Sequence, residues 1–259
     1  MPVVDIPIEI EPGDPGQALP YVRADVGGRT VRVLLDSGSG RTTVTPPDDA
    51  ILHTREPEGS GVFGGQGERR VWRTSIRLGD VDLGTIEVDT HKPGEGRDHI
   101  GQDVLSLFRC EYRFAEHTLR LDEHAAPAET FPIFLGDGRH VYLDVAWSSG
   151  GAASAIFDTG ASVTVADASF VRTHSALFTP AGESQGTDGS GAVLETPMAT
   201  MNGPRILGQT FTASTVAVVD LSAVNQTIQC PMDLILGWPL LQQANWLVDH
   251  PKRSAGLTA

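Results

Sequence analysis

An apolar run ending in Asp-Ser/Thr-Gly occurs twice in this chain, 122 residues apart. Val31-Arg-Val-Leu-Leu-Asp36-Ser37-Gly38-Ser39 is matched by Ala153-Ser-Ala-Ile-Phe-Asp158-Thr159-Gly160-Ala161. The likeness extends outward. Ile6 to Ile10 resembles Phe131 to Leu135, Tyr21 to Val26 resembles Tyr142 to Trp147, and each of the latter pair runs into a Gly-rich turn. Downstream, Asp98-His99-Ile100-Gly101 is matched by Leu234-Ile235-Leu236-Gly237 at a spacing of 136, so the second copy carries 14 more residues between its aspartate and this glycine. A repeat on this scale decides architecture before any single motif does. The chain reads as two lobes, residues 1–124 and 130–259, joined by a linker at 125–129.

Within each lobe the apolar period is two, over short runs bounded by turn residues, the mark of β-structure. Arg73 to Gly79 and Val81 to Val88 predict two strands about a turn at Gly79-Asp80, and Val4, Ile6, Ile8 and Ile10 alternate in the same way. With 29 glycines and 17 prolines in 259 residues, tight turns dominate over helices. The helical stretches expected are two short ones, Gln102 to Phe108 and Pro239 to Ala244. The fold class is therefore all-β, two-lobed, with a pseudo-twofold internal repeat.

Charge and cysteine content narrow the function. The formal net charge is −14, divided as −8 over residues 1–125 and −6 over 126–259. That disfavours nucleic acid and anionic membrane surfaces, which need a basic face. Arg69-Arg70 and Lys252-Arg253 are too small to supply one. Cys110 and Cys230 make neither a disulfide framework nor a metal site by themselves. The histidines at 91, 99, 117 and 124 lack ligand spacing, so neither metal nor cofactor is implied. No leader peptide or spanning segment is read from the sequence, which makes a cytoplasmic home the expectation.

A carboxylate at the end of an apolar strand, followed by glycine, sits on a turn at the edge of a low-dielectric core. One copy is a common turn sequence. Two copies in matching places bring both carboxylates to the interface between lobes, where they cannot both ionise and must share a proton. Such a pair takes a proton from water with one member and gives a proton to a carbonyl oxygen or leaving amine with the other.

In these residues the chain resembles the aspartic peptidases, the pepsin and retropepsin families, over nearly its whole length. The resemblance implies the double-psi acid-protease barrel, with Asp36 and Asp158 catalytic and the hydroxyls of Ser37 and Thr159 bonded across the lobe interface. It implies that Gly38, Ser39, Gly160 and Ala161 complete the two loops, and that Ile100-Gly101 and Leu236-Gly237 lie beneath them. His99 departs from the pattern, since an apolar residue is usual there, which predicts a more polar packing in the first lobe. Gly-rich segments about thirty residues past each aspartate, containing Phe63, Gly64 and Gly65 in one lobe and Asp188 and Gly189 in the other, are similar to two flaps. A single-chain fused retropepsin-like dimer is the branch this suggests: a monomer that binds an extended peptide or protein substrate and acts as an endopeptidase. By the same resemblance, the first strand and Ser254 to Leu257 help join the lobes.

The lobes differ at Ser39 and Ala161. A Ser39 hydroxyl donating to Asp36 is expected to keep the charge there and leave the proton on Asp158. Two other readings compete. A silent peptide-binding protein of the same fold is one. The other is a serine hydrolase, because Gly182-Glu-Ser184-Gln-Gly186 fits a nucleophile-elbow pattern with Asp233 and His250 after it, although no strand–helix alternation surrounds it. Gly59 to Gly64 fits Gly-x-Gly-x-x-Gly without the following helix that a dinucleotide site requires.

Overall fold

The alternating runs become strands that assemble into three sheets. In the computed structural model the described residues are 3–55, 69–92, 94, 96–122, 129–187 and 193–258. Eight strands between Glu9 and Ile100 form one sheet, and the ten strands from Phe134 to Leu236 form a second. The third sheet has six strands and draws from both halves of the chain. Its order is Val4–Pro7, Thr118–Asp122, Arg109–Arg113, Asn245–Asp249, Ser254–Thr258 and Phe131–Pro132. At its centre Arg109–Arg113 pairs antiparallel with Asn245–Asp249, Arg109 facing Asp249 and Tyr112 facing Trp246. These two central strands stand 136 residues apart, as do their outer neighbours Thr118–Asp122 and Ser254–Thr258, so the repeat has become a twofold arrangement of strands.

The same topology recurs around each aspartate. The strand Arg29–Leu35 runs parallel to the two-residue strand His99–Ile100, with Leu34 against His99 and Leu35 against Ile100. On its other side His99–Ile100 meets Thr43–Val44 antiparallel. In the second half Ala152–Phe157 runs parallel to Leu234–Leu236, which pairs antiparallel with Thr164–Asp167. In both cases a short strand lies between the two strands that the Asp-Ser/Thr-Gly loop connects.

One apolar core runs under both loops. Leu35, Ile100, Tyr112, Phe157, Leu236 and Trp246 belong to a single cluster and are each at most 1% exposed. Phe157 bridges the halves, its ring 5.3 Å from that of Tyr112 and 5.4 Å from that of Trp246. Burying such rings removes large apolar areas from water and ties the loops to the six-stranded sheet.

Several expectations change in detail. The hairpin at Gly79-Asp80 is present with longer strands, Arg69–Leu78 and Val81–Thr90. The alternating start divides into Val4–Pro7 and Glu9–Pro12, which enter different sheets. The helices after the two glycines are single turns, Gln102–Leu105 and Trp238–Leu241. A further helix, Ala168–Thr173, was not foreseen; the buried Asp167 carboxylate caps it, accepting from the Ser169 and Phe170 amides. Of the linker, only Glu129 lies among the described residues, and it is exposed. Among the described residues no helix is long and apolar enough to cross a membrane.

Candidate active site

Both Asp-Ser/Thr-Gly loops meet at the centre of the molecule, and their hydroxyls lock them together. Ser37 Oγ donates to the Phe157 carbonyl at 2.8 Å, and Thr159 Oγ1 donates to the Leu35 carbonyl at 2.5 Å. In return each oxygen accepts from the backbone of the other loop: Ser37 N donates to Thr159 Oγ1, and Thr159 N to Ser37 Oγ, both at 3.0 Å. Ser37 and Thr159 are 0% and 2% exposed, so these four bonds have no competing water.

Asp36 and Asp158 sit half-buried above this lock. Gly38 N donates to Asp36 Oδ1 at 3.0 Å, and Gly160 N donates to Asp158 Oδ1 at 2.8 Å. A β-carbon on Gly38 would stand 2.2 Å from Asp158 Cγ, and one on Gly160 would stand 2.4 Å from Asp36 Cγ. Each carboxylate therefore lies over the opposite loop's glycine, and only a residue without a side chain leaves room for it. Burial, and then the negative charge of Asp36, push the Asp158 carboxyl up to about 8, against weaker opposition from the backbones of Gly160, Ala161 and Gly38.

The support beneath is equally symmetric. The Asp36 amide donates to the Ile100 carbonyl at 3.0 Å and the Asp158 amide to the Leu236 carbonyl at 3.1 Å. A β-carbon on Gly101 would meet the Arg41 carbonyl at 2.5 Å, and one on Gly237 would meet that of Val163 at 2.3 Å, which explains both glycines. Thr42 and Thr164, unmarked in the sequence reading, receive the Gly101 and Gly237 amides on their hydroxyls at 3.1 Å each. Their spacing of 122, equal to that of the aspartates, was the signal available. Gln102 was also missed: wholly buried, it donates from Nε2 to the Ser37 carbonyl at 2.9 Å, while Trp238 holds its place in the second half.

Ser39 departs from expectation. Its hydroxyl donates to the Arg41 carbonyl at 2.8 Å and lies 3.1 Å from His99 Nε2, so it is turned along its own loop rather than toward Asp36. The turn is set by His99, whose polar ring offers Ser39 and Arg41 a partner that an apolar residue would not. Phe63, Gly64, Gly65, Asp188 and Gly189 lie outside the described residues. The strands that flank those segments are antiparallel partners, with Arg55 opposite Arg69 and Thr187 opposite Val193.

The serine alternative does not assemble. Ser184 lies within the strand Phe178–Thr187, opposite Thr196, and not on a strand-to-helix turn. Asp233 accepts from the Ser154 amide at 2.9 Å, and His250 is buried with neither ring nitrogen hydrogen-bonded. Cys110 and Cys230 are both free, and burial pushes the Cys110 thiol up to about 12, which removes it from nucleophilic chemistry.

No family model and no curated protein matches the chain. Among solved structures it is similar to conglutin gamma, a basic 7S globulin from lupine seeds, with a TM-score of 0.57 over 99% of this chain and 95% of that one. The identity is 12%, so the likeness is one of fold, shared over nearly the whole of both chains.

Proposed function

We propose that this chain is an aspartic endopeptidase of the double-psi acid-protease fold, in which Asp36 and Asp158 activate a water molecule against a peptide bond. The observation that carries the reading is the pair itself: two carboxylates, each seated over the other loop's glycine, with burial and the neighbouring Asp36 pushing the Asp158 carboxyl up to about 8. Ionised Asp36 takes a proton from the water as its oxygen bonds to the scissile carbonyl carbon. Protonated Asp158 gives its proton to the carbonyl oxygen, which yields a tetrahedral diol. Collapse of the diol breaks the C–N bond: ionised Asp158 takes back a proton from one diol hydroxyl as the carbonyl re-forms, and the proton held by Asp36 goes to the leaving amine. The reciprocal hydroxyl bonds keep the two loops in register so that little reorganisation is needed during the reaction.

A substrate in extended form suits an all-β frame whose strands present backbone partners. The acidic balance of both halves keeps nucleic acid out of the proposal. The test is turnover of casein or a mixed peptide library between pH 3 and 8. Cleavage that is abolished by Asp36→Asn and by a pepstatin-type inhibitor supports the reading. A second reading, a peptide-holding protein without catalysis, is favoured by one observation: a solved structure similar to this chain in fold is that of a seed globulin. Peptide binding without cleavage across that range would select it.

A further inference from the structure

The two halves brace their loops from below with different chemistry. Beneath each loop a one-turn helix opens on the matched glycine, Gln102–Leu105 after Gly101 and Trp238–Leu241 after Gly237. The first residue of each helix donates its backbone amide to the loop above, Gln102 N to the Ser39 carbonyl at 2.8 Å and Trp238 N to the Ala161 carbonyl at 2.9 Å. Gln102 and Trp238 are therefore counterparts, at the same spacing of 136 as the glycines before them. Trp238 sets its ring edge-on to Phe114, with the centroids 5.3 Å apart, which is an apolar brace. Gln102 is 0% exposed and directs Nε2 to the Ser37 carbonyl at 2.9 Å, which is a polar one.

A buried amide at this place is unfavourable in itself. Gln102 Oε1 is buried without a hydrogen-bond partner, an unpaired acceptor that an apolar side chain would avoid. Against that stands the one bond from Nε2, and it falls on a peptide that serves both aspartates. The Ser37–Gly38 unit accepts from Gln102 at its carbonyl and donates from its N–H to Asp36 Oδ1 at 3.0 Å. Gly38 also forms the floor under Asp158, whose Cγ would lie 2.2 Å from a β-carbon there. The carbonyl and N–H of a trans peptide point in opposite directions from one rigid plane, so Gln102 holds that plane from the side away from Asp36. Donation to the carbonyl also polarises the unit and strengthens its N–H as a donor. In the second half the Gly160 amide gives the same bond to Asp158 at 2.8 Å, but the residue below is Trp238.

We propose that Gln102 is a positioning residue for the carboxylate pair, acting through the Ser37–Gly38 peptide to fix the direction in which the Gly38 N–H meets Asp36. The inference rests on the reading of Asp36 and Asp158 as a water-activating pair. Rotation of that one plane would turn the N–H away from Asp36 and move Gly38 against Asp158 in a single motion. The hydroxyl lock between the loops engages Ser37 N and Ser37 Oγ and leaves the Ser37 carbonyl to Gln102. The brace is therefore separate from the lock, and it secures the part of the loop that the lock does not hold.

The test uses Gln102→Met, which keeps the reach of the side chain without its donor, and Gln102→Glu, whose acid form donates an O–H to the same carbonyl. At pH 4 burial holds such a carboxyl in its acid form, and so does the like charge of Asp36, Asp158 and the neighbouring Asp103, which is itself bonded to Thr42. Full-length protein carrying carbonyl-¹³C serine and ¹⁵N glycine displays only its five Ser-Gly peptides by NMR, and Ser37→Thr assigns the one at 37–38 by removing it. In Gln102→Met that signal moves upfield in both the Ser37 carbonyl carbon and the Gly38 proton. At pH 4 kcat falls by about 10- to 100-fold with KM unchanged, as for misaligned reacting groups, and Gln102→Glu recovers most of the loss. A residue that only packs would lower the melting temperature and leave the signal and the kcat of the folded protein in place, which overturns the inference. So does a folded Gln102→Glu no better than Gln102→Met. Should Gln102→Met fail to fold, the signal in Gln102→Glu carries the test: it stays near the parent position at pH 4 if the brace is real and moves upfield if the acid donor does not replace the amide. The signal needs no substrate, so the two readings fail separately. A signal that responds in a protein that cleaves nothing removes the peptidase and keeps the brace, whereas cleavage with an unmoved signal does the reverse.

Discussion

Gly38 and Gly160 show how much a single residue decides in this site. Neither has a positive φ that would call for glycine; each is required because the opposite carboxylate occupies the space of its side chain. Gly38→Ala and Gly160→Ala should therefore force the two loops apart and abolish turnover while leaving the sheets formed, which circular dichroism and a peptide assay would separate. Asp158→Asn keeps the shape but cannot supply the shared proton, and should lower kcat by about 10³-fold, within the range for loss of an acid–base group. The hydroxyl lock answers a different change. Thr159→Val leaves Ser37 N and the Leu35 carbonyl buried without partners, at a cost of about 1–3 kcal/mol for each orphaned group. A denaturant melt reads it.

At the scale of elements, the six-stranded sheet and the paired short strands beneath the loops hold the halves together. Trp246 stands in the centre of that sheet, 1% exposed, with its Nε1 donating to the Leu241 carbonyl at 2.7 Å. Trp246→Ala should destabilise the chain by about 3–5 kcal/mol, as large-to-small changes in a core do. Its contact with Phe157, the residue just before Asp158, makes loss of activity precede global unfolding in urea. The strand pattern from Val4 to Ile10 was legible as alternation, because one face of each strand is buried. The change of sheet between Pro7 and Glu9 was not, since the same alternation serves either partner. The short helix Ala168–Thr173 escaped because a six-residue helix shows too little of its period, and its clearest mark is the capping Asp167.

For the whole molecule, the division of the chain into two repeats predicts dependence of each half on the other. Residues 1–124 or 130–259 expressed alone should cleave nothing, because each lacks the carboxylate, hydroxyl and three sheet strands that the other supplies. Stability should also carry the pair's signature in its pH dependence. Asp158 is raised in the folded chain, so its contribution is fully present below its unfolded pKa near 3.8 and is lost as pH rises through about 8. His250 is buried and pushed down to about 4, chiefly by burial, so the unfolded chain takes up its proton first as pH falls below about 6.5, and stability is lost on that side. His140, also lowered, adds to the same acid limb. Between about 4 and 6.5 the two slopes oppose each other; between 6.5 and 8 only the aspartate acts. Melting temperature should therefore fall from pH 6.5 to 8 in the parent chain and stay level in Asp158→Asn, a difference on the order of 1–2 kcal/mol.

The sequence by itself determined the repeat, the all-β character and the six loop residues from Asp36 to Gly38 and from Asp158 to Gly160, because strand alternation and the turn sequence that ends each apolar run are written locally. Tertiary structure alone decided where those loops point. It turned Ser39 toward Arg41, brought His140 from the second half onto the first half's loop, and gave Thr42, Thr164 and Gln102 their places beneath the aspartates. Each of those outcomes depends on which partner a polar group finds across more than fifty residues of chain, or on how a neighbouring ring competes for a hydroxyl. Hydrogen bonds and ion pairs of that kind leave no period in the sequence, and only the packed core beneath Leu35 and Phe157 brings their members together.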